Sequence, residues 1–193
     1  MTTTAVFAEI LAIGLQVVVW LSMIIFGLFP DLQKHITKLS NWDGLSIVLL
    51  LGAAYPLGVI ADRLSDCLFH GIDTRLRKPY TTNAKPTIQD MRVSIMTRSN
   101  EVSSLLGYTR HRIRLARATA FNSTVATAVF VCLSITRDWL SMDKLLLAVA
   151  LGLAIVASAV FAWARISKTY YRRLVQAYQV VIVEVKTGQQ HES

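Results

Sequence analysis

The chain has 193 residues, of which 53% are apolar and 17% are charged, and its formal net charge is +8. Ordinary soluble domains carry a charge on about a quarter of their residues, so the composition excludes a typical soluble globular protein. The two cysteines do not form a disulfide framework, because Cys132 falls within an apolar run and Cys67 follows another. The composition indicates an integral membrane protein.

Four apolar runs are long enough to cross the hydrocarbon core of a bilayer, which takes about 20 helical residues. They cover residues 5–29, 45–61, 118–136 and 145–164. We therefore predict an all-α polytopic membrane protein with four transmembrane helices that extend into a cytoplasmic helical region. The predicted segments are 1–61 with two spans and a short outer loop, 62–117 as a basic cytoplasmic segment, 118–164 with two more spans, and 165–193 as a basic tail.

The distribution of basic residues predicts the orientation in the membrane. Sixteen of the 20 Lys and Arg residues lie between Arg63 and Arg117 or after Ala164. Basic loops stay in the cytoplasm, so both termini and residues 62–117 are predicted to be cytoplasmic, in the inner (plasma) membrane of the cell. The first run lacks a basic n-region and a small-residue cleavage site, so we expect a retained helix and not a cleaved signal peptide.

Local signals predict the elements between and after the spans. Two prolines and the lack of a hydrophobic period predict a loop over residues 72–88. A cytoplasmic helix is expected from Thr87 to about Gly107, and the third membrane helix from near Thr109. After Ala164 a helix is favoured, with a strand over "QVVIVEV" as the alternative. Contacts with the outer membrane interface are expected for Leu32, Ile36, Leu39, Trp42 and Trp139.

Charged residues gather where the helices leave the predicted membrane. Asp62 and Asp66 follow the second span directly, and Arg117 stands just before the third. A carboxylate at this depth is costly unless it has a partner, so we predict that Asp62 pairs with Arg114 or Arg117. The alternative is that these arginines face lipid phosphates. The predicted polar layer at the cytoplasmic membrane edge comprises Glu9, Asp62, Arg63, Asp66, Arg114, Arg117 and Arg165.

Small and polar residues within the spans predict how the helices pack. Glu9 and Gln16 share one face of the first span, and that face should point into protein. The inner half of the third span is rich in hydroxyl and amide residues, which form hydrogen bonds between helices. In the fourth span, small residues recur at a spacing of four, which predicts a close-packing face and self-association. They are Ala150, Ala154, Ser158 and Ala162.

One pattern resembles an enzyme signature. Gly58, Asp62 and Asp66 resemble the second half of the metal-binding signature of CDP-alcohol phosphatidyltransferases. Asp43 and Gly44 lie near the position of the first half but out of register. If the second span is one straight helix, Asp43 and Asp62 are about 28 Å apart along it. Aspartates that share a metal pair must lie much closer, so the match would need a fold-back at the proline of this span.

Two other patterns are incomplete. Arg63 and His70 have the R-x6-H spacing of HEPN ribonucleases, which is a loose signature. Cys67 and His70 are half of a zinc site, without a second Cys or His pair to complete it. We therefore predict a non-enzymatic protein with no metal and no cofactor.

The organisation resembles that of small four-span membrane components of bacterial antiviral defence systems, such as the membrane subunit of Kiwa and the four-span accessory of type VI-B CRISPR loci. The resemblance rests on the four spans, the long basic middle segment and the basic tail. It implies a self-assembling sensor or effector in antiviral defence with a cytoplasmic protein partner. Anionic lipid headgroups are further expected partners, and nucleic acid is expected only through a partner protein.

The alternative functions are a small channel or transporter subunit and, third, the lipid-synthesis enzyme. A channel should carry polar residues along a full span. In this chain they gather in the inner halves of the first and third spans, as Gln16 and Asn122 illustrate. This distribution favours the sensor or effector.

The charge distribution generates a topology prediction. Reporter fusions at Ser193 and Ser40 should report opposite sides of the membrane, with Ser193 in the cytoplasm, because 16 basic residues lie on one side and four on the other. Phosphatase and fluorescent-protein reporters measure the side of each fusion. A cytoplasmic Ser40 would contradict the four-span topology.

Overall fold

The computed structural model describes residues 3–31, 44–81, 87–138 and 140–191. Within these ranges the chain forms five helices and no strand: α1 Thr3–Leu28, α2 Gly44–Thr81, α3 Ile88–Arg98, α4 Asn100–Arg137 and α5 Met142–His191. Four segments are long and apolar enough to cross a membrane, namely Thr4–Leu28, Ile47–Tyr80, Asn100–Arg137 and Met142–Val180. The predicted all-α fold with four membrane-spanning helices is confirmed.

The chain divides into two compact units, each made of two separate stretches. We call Thr2–Leu68 with Leu115–Phe161 the membrane unit, and Phe69–Arg114 with Ala162–Ser193 the basic unit. The basic unit contains 14 basic and five acidic residues, a net charge of +9. The membrane unit contains six basic and seven acidic residues, a net charge of −1. Most of the two segments predicted to be cytoplasmic, 62–117 and 165–193, therefore belongs to one unit.

Close backbone contact between α1 and α2 organises the membrane unit. Gly14 lies against the backbone carbonyl of Ala54, and Gly58 lies against that of Ile10, so neither position has room for a Cβ atom. The two contacts are one helical turn apart, and they run in opposite directions along the two helices. Small residues allow this approach in a membrane, where packing drives helix association. A cluster of buried apolar residues accompanies this contact and includes one residue of α4, Ala118. Its members are Ile13, Val17, Ala61 and Ala118.

A second set of contacts joins α1 to α4. The guanidinium of Arg137 donates a hydrogen bond to the backbone carbonyl of Gly27, and the Leu133 side chain packs against the same glycine. A cation at the C-terminal end of a helix also interacts favourably with the helix dipole. Nearer the start of both helices, Gln16 bonds to Thr119. The two helices therefore run in the same direction, as a four-span topology requires of the first and third spans.

The membrane-unit part of α5 packs through a face that differs from the predicted one. Gly152 lies against the side chain of Thr127 on α4, whereas Ala150, Ala154 and Ser158 are exposed. Ala162, the last residue of the predicted ladder, is half-buried and belongs to the basic unit. No residue in the most hydrophobic window of this helix is buried among the described residues. The described residues do not cover Ala150, Ala154 or Ser158, and the use of the ladder in self-association stays a prediction.

The basic unit has its own hydrophobic core, to which α3, α4 and α5 contribute. Tyr80 of α2 stacks on Tyr171, with ring centres 6.3 Å apart, and Phe69 meets Trp163 edge to face at 4.9 Å. Aromatic side chains bury large apolar areas, so a small unit can be held by few of them. The buried core residues are Met91, Ile95, Leu106, Tyr170, Tyr171 and Leu174.

The loop predicted over residues 72–88 is wrong as far as Thr81, because α2 continues to that residue. Asp73 and Arg77 pair across one turn at 3.5 Å, and the contact of Tyr80 with the core holds the last turn in place. These contacts override the poor helix propensity of Pro79, which lies in that turn.

The start predicted at Thr87 is confirmed, but the predicted end of this helix is wrong. A capping box fixes the start: the Thr87 hydroxyl accepts from the Asp90 amide, and the Asp90 carboxylate accepts from the Thr87 amide. Hydrogen bonds from the Thr87 side chain and then from its backbone lower the pKa of Asp90. The helix ends at Arg98, with Ser99 in extended conformation.

Gly107, predicted to end that helix, lies inside the next one. The prediction that the third membrane helix begins near Thr109 is also wrong, because α4 begins at Asn100. Leu106 is buried in the core of the basic unit, and Ile113 packs against the same core. This packing keeps the chain helical through the glycine, which alone costs a helix about 1 kcal/mol.

The tail is helical to His191, so the prediction of a helix is confirmed and the strand alternative is wrong. The interface residues predicted on the outer side lie outside the described residues. They are Leu32, Ile36, Leu39, Trp42 and Trp139.

The glycine contacts generate a packing prediction. Gly58→Ala should destabilise the protein by about 1–3 kcal/mol, because the added methyl group meets the backbone carbonyl of Ile10, which has no rotamer to change. Gly52→Ala is the matched control on the same helix, because nothing lies within 4 Å of its Cβ position. The control should be neutral or stabilise by up to about 1 kcal/mol. Thermal unfolding in detergent measures both, and equal losses would contradict the contact.

Candidate functional site

One guanidinium and two carboxylates form an ionic cluster between α2 and α4. Asp62 and Asp66 are one turn apart on α2, so both side chains lie on the same face of that helix. The Nη2 atom of Arg117 is 3.5 Å from Oδ1 of Asp62, and its Nη1 atom forms a second ion pair with Oδ1 of Asp66. Arg117, one of the two arginines predicted for Asp62, is therefore a partner of that carboxylate. The fork of a guanidinium suits this shared arrangement.

The two ion pairs differ in burial. The side chains of Asp62 and Arg117 are 6% and 11% exposed, whereas that of Asp66 is 55% exposed. A buried pair depends on both members, because the loss of one strands the charge of the other. An exposed pair contributes little, because solvent screens it. The Asp62–Arg117 pair is thus the part of the cluster on which helix packing depends.

The other residues of the predicted layer lie outside these two ion pairs. Glu9 is buried in the membrane unit, with 8% of its surface exposed, and Arg63 is exposed. Arg114 and Arg165 belong to the basic unit, where Arg114 is half-buried and Arg165 is exposed. The ion pairs of the membrane unit described here therefore join three of the seven predicted residues.

A hydrogen-bonded network links α1 and α4 within the membrane unit. Gln16 Nε2 donates to Thr119 Oγ1 at 3.1 Å, and Gln16 Oε1 accepts from Asn122 Nδ2 at 3.2 Å. Asn122 Nδ2 also donates to the backbone carbonyl of Ile13 at 3.4 Å. Trp20 Nε1 donates to Asn122 Oδ1 at 3.3 Å. Asn122 is 2% exposed, and both ends of its amide have partners.

The network was only partly visible in the sequence. The hydroxyl and amide groups of Thr119 and Asn122 were expected to form hydrogen bonds between helices, and Gln16 was expected to face protein. Trp20 was not, because an indole in an apolar run looks like any other apolar residue; its position one turn after Gln16 was the only signal. Each bond of this kind stabilises a membrane helix pair by about 0.6–2 kcal/mol. Together the bonds fix the register of α1 against α4.

Side chains that could bind a metal ion do not cluster among the described residues. No group of three or more His, Cys, Asp or Glu side chains among them could hold a metal ion. Cys67 and Cys132 are free and exposed. The helix α2 runs without a break through Pro56, so the fold-back needed for the phosphatidyltransferase signature is not formed; Asp43 lies outside the described residues. The chemistry of the cluster is electrostatic pairing.

The basic unit presents charged side chains that have no carboxylate partner in the described part of the chain. Arg165, Lys168 and Arg172 are exposed on α5 at spacings of three and four, which places them on one face. No ion pair joins any of them to a described carboxylate. We call these three residues the basic stripe. By contrast, Asp73 is neutralised by Arg77 and also accepts a hydrogen bond from the Tyr171 hydroxyl at 2.9 Å.

Comparisons with protein-family models, with curated proteins and with solved structures find no match for this chain. The resemblance to four-span defence components is therefore one of architecture, in the number of spans and the basic segments. Functional inference rests on the contacts, burial and charges of the two units.

The ionic cluster generates a stability prediction. Arg117→Gln should destabilise the protein by about 3–5 kcal/mol, because it removes the guanidinium that pairs with the buried carboxylate of Asp62. Adding Asp62→Asn should recover part of the loss, because the buried charge is then removed. Arg63→Gln is the matched control, since this neighbour of Asp62 is exposed, and its effect should stay within about 0.5 kcal/mol.

Thermal unfolding in detergent measures the unmodified protein, the Arg63→Gln, Arg117→Gln and Asp62→Asn single variants, and the double variant. Equal effects of the Arg63 and Arg117 variants, or strictly additive losses in the double variant, would show that Arg117 only faces lipid headgroups.

Proposed function

We propose that this protein is a non-enzymatic, self-assembling membrane protein that acts as a sensor or effector and binds an acidic cytoplasmic protein through its basic unit. The observation that carries the proposal is the separation of charge, with +9 on the basic unit and −1 on the membrane unit. A charge of this size on one compact unit attracts acidic partners and raises their rate of association. The architecture makes antiviral defence at the inner membrane the proposed setting, with both termini in the cytoplasm.

The basic stripe is the surface that supports binding of a partner. Arg165, Lys168 and Arg172 are exposed, and no described carboxylate neutralises them. Acidic side chains of a partner, or anionic lipid headgroups, would therefore gain interaction energy without displacing an existing pair. Complementary charges of this kind determine which partner binds and how fast.

The exposed ladder of α5 supports self-assembly. Ala150, Ala154 and Ser158 form a line of small residues that is exposed among the described residues. In a membrane such a line lets two helix backbones approach closely, and packing and hydrogen bonds then hold them. A second copy of the chain is the occupant that we propose.

The alternatives receive less support from the contacts. Gln16 and Asn122 are hydrogen-bonded to each other and to α1 and α4, so they serve in packing and do not line a path for ions. From Gly44 to Thr81 the helix α2 runs through Pro56 without the fold-back that the phosphatidyltransferase signature would need.

The experiment that tests the proposal compares two sets of charge reversals. Affinity purification after crosslinking in native membranes identifies the partner of the unmodified protein. The triple variant Arg165→Glu, Lys168→Glu, Arg172→Glu should lose it, because acidic partner groups then meet like charges. The matched control Arg75→Glu, Arg98→Glu, Arg112→Glu changes exposed residues on three other helices by the same total charge, and it should keep the partner.

Retention of the partner by both triple variants would contradict the proposal. Equal loss in both would show that total charge, and not the stripe, determines binding.

A further inference from the structure

A small cleft in the basic unit combines basic side chains with an apolar floor. It lies between α3, α4 and α5, is open to solvent and has a volume of about 80 Å³. Ile95, Leu106 and Tyr170 are buried residues that line it. Its polar lining comes from Arg92, Ser103 and Arg110.

Arg92 is held in place but not neutralised. Its guanidinium carbon lies 5.3 Å from the centre of the Tyr170 ring, and that tyrosine is 3% exposed. A planar guanidinium over an aromatic face is attracted to it and keeps its in-plane N–H groups for other partners. The Nε atom of Arg92 is buried and has no hydrogen-bond partner among the described residues. An anion bound in the cleft that Arg92 lines would stabilise the positive charge of this guanidinium.

The other two polar groups of the cleft are also available. Arg110 is exposed and forms no ion pair with a described carboxylate. The Ser103 hydroxyl forms no hydrogen bond with any described residue. Two guanidinium groups that line one small space repel each other, and an anion between them turns this repulsion into attraction. No carboxylate is among the residues that line the cleft.

We propose that this cleft binds the phosphate group of a phosphate monoester, supplied either by a soluble metabolite or by a lipid headgroup. Arginine forks match the geometry of phosphate oxygens, and the dianion matches two positive charges. The volume is about half that of a cavity of roughly 150 Å³ that holds a benzene ring, so the cleft takes a phosphate-sized group. The rest of the ester lies toward the open side, with its apolar part against the floor.

This inference goes beyond the binding of a protein partner and does not depend on it. The basic stripe on α5 and the cleft are formed by different residues, so the failure of either proposal leaves the other intact.

The first arm of the test uses phenyl phosphate as the soluble probe. The full chain, in nanodiscs of phosphatidylcholine, is titrated calorimetrically with phenyl phosphate and, for comparison, with benzenesulfonate, which has the same ring and a single charge. We expect saturable binding of phenyl phosphate and weaker binding of benzenesulfonate. Arg92→Gln and Arg110→Gln should each raise Kd by about tenfold or more, because each removes charge-assisted hydrogen bonds.

Arg112→Gln is the matched control. Arg112 belongs to the same helix as Arg110 and also lies over a tyrosine, Tyr108, at 5.9 Å, but it does not line the cleft. Its variant should bind phenyl phosphate as the unmodified protein does. Arg110→Gln and Ser103→Ala keep the test meaningful if Arg92→Gln folds poorly, which the melting temperature without probe reveals.

The second arm distinguishes the source of the phosphate. Nanodiscs that contain phosphatidic acid replace those of phosphatidylcholine alone, and the titration with phenyl phosphate is repeated. Weaker apparent binding would assign the cleft to a lipid headgroup, and unchanged binding would assign it to a soluble monoester. The proposal is overturned if the unmodified protein binds phenyl phosphate in neither membrane and is not stabilised by phosphatidic acid. It is also overturned if Arg92→Gln and Arg110→Gln bind the probe as tightly as Arg112→Gln.

Discussion

A carboxylate buried among apolar helices is costly unless an opposite charge stabilises it. At Asp62 the guanidinium of Arg117 supplies that charge. The rest of the membrane unit is arranged around that requirement. Gly58 stands one turn before Asp62 on α2 and contacts the backbone of α1. The same helix therefore meets α1 through a glycine and α4 through an ion pair. Rotation of α2 would break both contacts, so the two together fix its orientation.

The hydrogen bonds between α1 and α4 likewise fix the orientation of helices, in the more apolar part of the membrane unit. Apolar packing alone tolerates many rotations of a helix, because lipid tails are as apolar as leucine side chains. An amide such as Asn122, with both of its ends bonded, tolerates far fewer. These polar groups determine the register of α1 against α4 more than they stabilise the contact. A few of them are therefore enough in an otherwise apolar unit.

Whether a structural feature could be predicted depends on how far apart in the sequence the residues that produce it lie. Span number follows from the length of apolar runs, which is a local property. A pairing of Asp62 with Arg114 or Arg117 could be predicted from depth in the membrane, because these residues lie near the ends of spans. The core of the basic unit was not foreseen: Met91, Leu106 and Tyr170 come from distant stretches that share no period.

Local signals also misled where tertiary contacts oppose them. Pro79 and Gly107 are poor helix residues, and their surroundings outweigh their propensities. The ladder beginning at Ala150 shows a different limit of prediction from local sequence patterns. Its spacing predicted a packing face, within one subunit or between subunits, and among the described residues α5 contacts α4 through Gly152. Spacing identifies a face on a helix but not what covers it.

The separation between partners in the membrane unit has a consequence for biosynthesis. Asp62 and Arg117 are 55 residues apart, and Gln16 and Asn122 are 106 apart. At a synthesis rate of about 5–20 residues per second, Asp62 waits roughly 3–11 seconds for its arginine to be made. During that interval the first two spans carry polar groups, such as those of Asp62 and Gln16, whose partners on the third span have not yet been made. The hairpin of α1 and α2 is thus made before the α4 residues that bond to its polar groups. Proteins that escort or degrade unassembled membrane helices have several seconds in which to recognise it.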